Sequence, residues 1–569
     1  MQAVYNIAEI CARHGITDVV LSPGSRSAPL TLAFARHPEL TVRVVPDERA
    51  AAFIGLGIAQ AQRRAVALVC TSGTAGLNYA PAVAEAFFQQ IPLVIFTADR
   101  PAEWIDQLDG QTIRQHNLYG AHAKGAFEFP VETSHPDAKW FSARIINEAI
   151  NLAQAAPAGP VQVNVPLREP FYPKAGEVIG YEKDVRIIRQ VPAPTPTTLP
   201  ASWAEIREAI ITSDRTLVVL GQQTANAAVL AGLMNFVVTK YATVVADCLG
   251  QINAFDPVMA QDVFVPQVPP HTLRPDVLIT SGLSLISKSL KLFLRNNPPK
   301  RHIHVQVAGE AADTFQALTD VVYAEPAVFF ATILGGYTAT SEEASPFHRA
   351  WSKADTDGVA AINSFFRAAG RKILTEFAAM ADVLRLVEAG TALHLANSMT
   401  VRYANILGIK ADGIEVFANR GTSGIDGCTS TAVGAALAQP NRPVVLLTGD
   451  VAFFYDRNAF WHNYPTPNLR VVLFNNHGGG IFRMIDGPRH QPELEEFFET
   501  RQALTAENTA RDFNLRYFPV SSFTELEAAL PVFFAAETGA ALLEVFTDSK
   551  TNAAFFEEYR SAVRTAFAS

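Results

Sequence analysis

Residues 443–482 read PVVLLTGDVAFFYDRNAFWHNYPTPNLRVVLFNNHGGGIF. Two apolar, β-branched runs, VVLL and VVLF, come shortly before Asp450 and Asn476 respectively. Unbroken apolar runs of this length suit strands buried on both faces. Asp450 and Asn476 lie 26 residues apart, which is room for one crossover helix and a return to a neighbouring parallel strand. The stretch predicts a strand–helix–strand unit with polar residues at each strand's carboxyl end.

The same rhythm extends in both directions. TALHLANS (391–398), IEVFANRG (414–421) and ALLEVFTD (541–548) complete the last third. TLVVLGQQ (216–223), ATVVADCLG (242–250), PDVLITSG (275–282) and RHIHVQVAG (301–309) repeat it in the middle. The first third opens with TDVVLSPG (17–24), TVRVVPD (41–47), AVALVCTSG (65–73) and IPLVIFTAD (91–99), separated by helical stretches such as ERAAAFIGLGIAQAQRR (48–64). Strands alternating with helices predict an α/β chain of three doubly wound domains with mainly parallel sheets. The proline-rich QVPAPTPTTLPA (190–201) reads as a linker, and the polar GYTATSEEASPFHRA (336–350) closes the middle unit. The expected domains are 1–188, 189–345 and 346–569. The like plan of the first and last thirds hints at a duplication.

With 569 residues, 49% hydrophobic and 18% charged, the chain has ordinary globular composition. Its opening, MQAVYNIAEICARHG, lacks the charged and apolar regions of a signal peptide, and no apolar run reaches the roughly 20 residues of a membrane span. Cys11, Cys70, Cys248 and Cys428 are scattered without a CxxC, so a cytoplasmic chain without zinc or disulfides is expected. A net charge of −9 and no basic block argue against nucleic acid as a partner.

Ligands of open α/β sheets bind beyond the carboxyl ends of the strands. Those positions hold Ser25 and Arg26, Asp47 and Glu48, Thr71 to Gly73, and Asp99 and Arg100 in the first unit. In the last they hold Asn397 and Ser398, Asn419 and Arg420, Gly449 and Asp450, and Asn475 and Asn476. Single residues of these types usually just make turns or complement helix dipoles; their pairing across two units is what points to a site.

The Gly-Asp pair followed by an Asn-Asn pair resembles the cofactor motif of thiamine-diphosphate enzymes. The runs SPGSRSAPL, PDERAA, TSGTAGLNYAPAVAEA, TADRPAE, GQTIRQ, ANSMTVR, NRGTSGIDG and GDVAFFYD together resemble the 2-succinyl-5-enolpyruvyl-6-hydroxy-3-cyclohexene-1-carboxylate synthases, along nearly the whole chain and least in the middle. This resemblance implies pyrimidine-binding, central and diphosphate-binding domains. Asp450, Asn476 and the carbonyl of Gly478 would hold Mg2+, or Mn2+ in its place, since these hard oxygen ligands suit the octahedral ion. Gly449, Val451, Gly478, Gly479, Ile481 and Phe482 would line the cofactor, and Ile425 would prop its bent shape. Val451 stands where the general motif has Gly. Glu48 would hydrogen-bond the aminopyrimidine and promote the tautomer that activates thiazolium C2.

The implied activity is that of a transferase of menaquinone biosynthesis, which decarboxylates 2-oxoglutarate and adds the succinyl unit to isochorismate. Such anionic substrates call for guanidinium forks and ammonium groups. Ser25, Arg26, Arg100, Gln111 and Lys288 match substrate positions, the last four on the isochorismate side. Ser398, Arg402 and Arg420 match the 2-oxoglutarate side. Ser289 replaces a second basic residue beside Lys288. Ser398 and Arg402, four apart, should share one helix face. Glu48 and the metal ligands sit on different domains, and the resemblance places their meeting between subunits of a homodimer or dimer of dimers. Another thiamine-dependent decarboxylase or carboligase, such as an acetohydroxyacid synthase, is the alternative, although a pyruvate site needs no such basic cluster. A nicotinamide enzyme is disfavoured because no G-x-G-x-x-G follows a strand.

Overall fold

Every run quoted above as a strand forms one in the computed structural model, which describes residues 1–569 except 170, 174–177, 192–199, 239–241, 253–256, 335–343, 410, 412 and 569. Most of the linker expected at 190–201, and the first part of the closing stretch at 336–350, lie outside the described residues.

The first sheet contains β1 (Asp18–Leu21), β2 (Thr41–Val44), β3 (Val66–Cys70), β4 (Leu93–Asp99), β5 (Ala126–Glu128) and β6 (Val161–Pro166), in the order β2-β1-β3-β4-β6-β5. The second contains β7 (Thr216–Leu220), β8 (Ala242–Ala246), β9 (Val277–Ser281), β10 (Arg301–Gln306) and β11 (Asp320–Tyr323), in the order β11-β10-β9-β7-β8. The third contains β12 (Ala392–Leu395), β13 (Glu415–Phe417), β14 (Val444–Gly449), β15 (Leu469–Asn475), β16 (Arg516–Val520) and β17 (Ala541–Phe546), in the order β13-β12-β14-β15-β17-β16. Every pairing in the three sheets is parallel. The first and last sheets thus have one topology, as the duplicated plan suggested. In each, the order reverses beside its first strand, and this reversal opens a crevice at the carboxyl ends.

The first and last units are packed into one another. A single apolar core joins Val20, Phe53, Ile54 and Leu68 to Val433, Leu446 and Leu473. At its centre the Glu48–Gln62 helix meets the Cys428–Ala438 helix through glycines. A Cβ on Gly57 would come within 2.0 Å of the Thr431 carbonyl, and one on Gly434 within 2.2 Å of the Ile54 carbonyl. A second core joins the middle and last units, with Trp351 and Phe377 among its fully buried rings.

Candidate active site

Asp450 ends β14's turn into the Asp450–Tyr455 helix, where the free N–H groups of a helix start favour an acid. Its side chain is buried. One carboxylate oxygen accepts from the Val451 N–H at 2.8 Å, and the other accepts from the Gly478 N–H at 2.7 Å and from Gln502 Nε2 at 3.0 Å. Burial pushes its carboxyl up to about 6 against those hydrogen bonds.

Asn476 follows β15 and is also buried. Its Nδ2 donates to Glu376 Oε1, which fixes the amide orientation and leaves Oδ1 buried with no partner. Burial raises the Glu376 carboxyl to about 8, and the charge of Asp450 adds to that. A buried amide oxygen without a donor carries a desolvation cost; beside two buried acids, a cation would relieve it. Among the described residues no group of three His, Cys, Asp or Glu is arranged for a metal, so an ion here would rely on the mixed set of Asp450 carboxylate, Asn476 amide and Gly478 carbonyl. That oxygen-only set fits Mg2+.

The glycines shape the cradle. A Cβ on Gly478 would lie 2.7 Å from the Glu499 carbonyl, and one on Gly480 would lie 2.9 Å from Asn476 Nδ2. Gly449 faces open space instead. Ile425 packs on Ala396, Cys428 and Ala452, at the mouth of the crevice between β12 and β14. Val451, Ile481 and Phe482 are half-buried, the last against Phe498.

Glu48 opens its helix directly after the Asp47 cap, whose carboxylate accepts from the N–H groups of Arg49 and Ala50. It is half-buried near Cys70 and Tyr79, and among the described residues its carboxylate makes no hydrogen bond or ion pair.

Two basic clusters flank these groups. In the first unit Arg100 donates to Ser72 Oγ and to the Gln111 carbonyl, both at 2.9 Å, and pairs with Asp109. Arg26 donates to the Leu167 carbonyl at 3.1 Å and lies over the Phe171 ring; its charge is opposed by burial and then by Arg100. Arg26, Arg100 and Gln111 are therefore brought together at the ends of β1 and β4, and Ser25 stands exposed beside Arg26.

In the last unit Arg402 donates to the backbone carbonyl of Ser398. The contact runs through the Ser398 main chain and not across a shared helix face as expected, because the helix begins only at Met399. Ser398 itself sits at φ +77°. Arg420 donates to Asn397 Oδ1 at 3.0 Å, and its Nε is buried without a partner. The charge of Arg402 is opposed by burial and then by Arg420.

The middle unit supplies the remaining expected residue, Lys288. Lys288 is exposed and makes no hydrogen bond or ion pair among the described residues. Lys291, one turn further along the Lys288–Asn296 helix, is half-buried and donates to the Leu285 carbonyl at 3.1 Å. Its charge is disfavoured by burial and then by Arg420, with Arg402 also contributing. Lys291 thus feels the charge of the arginine pair, while Lys288 lies exposed at the start of the same helix.

Sequence reasoning missed Glu376, Gln502 and Lys291. A carboxylate in the apolar helix EFAAMADVL was the one available signal for Glu376; the others carry none, because folding alone makes them neighbours of the site.

Two family models match the chain. The thiamine pyrophosphate enzyme N-terminal TPP binding domain covers residues 1–121, and the C-terminal TPP binding domain covers residues 404–545. Glu48 falls within the first and the Asp450–Asn476 pair within the second, so fold and site define a thiamine-diphosphate (pyrophosphate) enzyme. Among similar curated proteins, one from Cytophaga hutchinsonii is 44% identical over 100% of both chains. One from Porphyromonas gingivalis is 37% identical over 96% of this chain and 94% of its own. One from Flavobacterium johnsoniae is 36% identical over 97% of each. All three carry the name 2-succinyl-5-enolpyruvyl-6-hydroxy-3-cyclohexene-1-carboxylate synthase, and this chain belongs to that family.

Proposed function

We propose that this chain is a transferase of menaquinone biosynthesis, which decarboxylates 2-oxoglutarate and adds the succinyl unit to isochorismate. The observation that carries the reading is the buried, unpartnered Asn476 Oδ1, held open beside Asp450 and the Gly478 backbone. Thiamine diphosphate, when bound, supplies the electron sink that makes loss of CO2 from a 2-oxoacid feasible. Asp450, Asn476 and the Gly478 carbonyl would hold Mg2+ against its diphosphate. Gly449, Val451, Gly479, Ile481 and Phe482 would line it, and Ile425 would prop it. Glu48 has a carboxylate free to exchange a hydrogen bond and a proton with the aminopyrimidine.

Arg402 and Arg420 are placed to bind the distal carboxylate of 2-oxoglutarate, with Ser398 alongside. Ser25, Arg26, Arg100 and Gln111 form the acceptor side for the two carboxylates of isochorismate. Because the glutamate and the metal ligands lie on different domains, we infer a homodimer or dimer of dimers whose sites form between subunits. We further propose domains of 1–188, 189–345 and 346–569, and a cytoplasmic location. Among the described residues no helix is long and apolar enough to cross a membrane, and all four cysteines are free and buried. The test is consumption of isochorismate with 2-oxoglutarate, dependent on added thiamine diphosphate and Mg2+. Turnover of pyruvate in preference to 2-oxoglutarate would overturn the reading.

A further inference from the structure

The loop from β13 to the Cys428–Ala438 helix carries both Arg420 and Ile425. It forms no strand or helix over Ala418–Gly427, so other contacts must fix it. Within the last unit, Asn397 Nδ2 donates to the carbonyls of Asn419 and Gly424 at 2.7 and 2.6 Å. The middle unit adds Gln222 Nε2 to the Ala418 carbonyl at 3.1 Å and Ser284 Oγ to the Arg420 carbonyl at 3.2 Å.

The first unit makes the strongest contact. Glu85, on the Ala80–Gln89 helix, is 1% exposed. Its Oε1 accepts from the Gly421 N–H and its Oε2 from the Thr422 N–H, each at 2.7 Å, and Oε2 also accepts from the Thr422 hydroxyl. Gln89 Nε2 donates to Oε1 as well, while Gln89 Oε1 accepts from Gln222 Nε2 at 2.8 Å. One hydrogen-bonded chain therefore runs from the middle unit, through the first, to the loop of the last. Gly421 is required at the contact, because a Cβ there would lie 2.7 Å from the Glu85 carbonyl.

Four donors converge on two oxygens. Only an ionised carboxylate offers acceptor capacity for all four. A glutamine would turn its NH2 against at least one of them.

We propose that Glu85 is a positioning residue for the donor pocket: it touches no substrate, but fixes the Arg420–Ile425 loop so that Arg420 meets the distal carboxylate of 2-oxoglutarate. This rests on the assignment of Arg420 given under Proposed function. Glu85 holds the loop in register from a domain that contributes no donor-binding side chain. Its loss lets Arg420 stray from a geometry that must hold within about 0.5 Å.

The experiment measures steady-state KM and kcat of the holoenzyme for both substrates, with melting temperature, in Glu85→Gln, Thr422→Val, the double variant and Arg420→Ala. Glu85→Gln is expected to raise KM for 2-oxoglutarate at least about fivefold, with KM for isochorismate within about twofold. Thr422→Val, which removes one hydroxyl from an exposed position, is expected to act in the same direction and more weakly. The double variant should fall short of the product of the two single effects, as coupled neighbours do. If Glu85→Gln and Thr422→Val lower only the melting temperature and the folded fraction, leaving both KM values unchanged while Arg420→Ala raises that for 2-oxoglutarate, the positioning role is overturned and the site assignment stands. If Arg420→Ala itself leaves KM for 2-oxoglutarate unchanged, the site assignment fails and the proposal falls with it.

Discussion

The first and last sheets share a strand order, yet their strand ends are finished in opposite ways. In the last, Asp450 is buried and engaged by three donors, and Asn476 is clamped through Glu376. In the first, Glu48 stands half-buried with a carboxylate that nothing in the described chain engages. The strand-end environment separates the two tasks: a rigid, prepaid socket suits holding charge, and an unengaged acid suits proton exchange. On the proposed reading, one scaffold would serve binding and activation.

Asp450→Ala breaks that division most severely. Removing the carboxylate is expected to abolish holoenzyme formation and with it activity, read by calorimetric titration of thiamine diphosphate with Mg2+. Unchanged affinity would remove the last sheet from the binding role. Glu48→Gln tests the other side: C2 proton exchange followed by NMR should slow by about 10²- to 10⁴-fold while cofactor affinity stays within about threefold. Wild-type exchange would mean that Glu48 is a helix-start acid and nothing more.

Glu376→Ala frees the Asn476 amide to rotate. Mg2+ affinity should drop about 10- to 100-fold, as when a ligand's orienting partner is removed; a drop in melting temperature alone would make Glu376 structural. Arg402→Ala should cost about 10- to 150-fold in kcat/KM for 2-oxoglutarate, with the intrinsically poor pyruvate reaction little changed, because pyruvate lacks the distal carboxylate. Equal losses with both donors would move Arg402 from substrate to cofactor or fold. The smallest contrast lies in the middle unit. Lys288→Ala should stay within about twofold of wild type and Lys291→Ala should lose about three- to tenfold in kcat/KM; the reverse ranking would restore the expectation read from the sequence.

The central strands were legible because parallel sheets covered on both faces demand continuous apolar runs, and β1, β3, β4, β14 and β15 supply them. Three of the strands not read from the sequence, β5, β11 and β16, are edge strands with exposed residues, where no such run is required. β6 was hidden differently: its buried Gln162 and Asn164 break the apolar pattern, and they are satisfied by Thr97, Gln115 and Glu128. Of the candidate site residues, Asp450 and Asn476 were readable because a motif with fixed spacing carries them, and Glu48 because it follows the second strand of the first unit. Lys291, Gln502 and Glu85 were not, because each reaches its place from a distant part of the chain.

The glycine crossing of the Glu48–Gln62 and Cys428–Ala438 helices also sets an order of events at the ribosome. The apolar face of the earlier helix has its partner roughly 380 residues downstream, which at about 5–20 residues per second is a wait of about 20–80 s. For that interval the nascent first unit presents Phe53, Ile54 and Gly57, an uncovered apolar face, to whatever else the cell contains. The later helix ends the exposure by filling notches that admit no methyl group, so the earliest synthesised third of the enzyme is completed by its last.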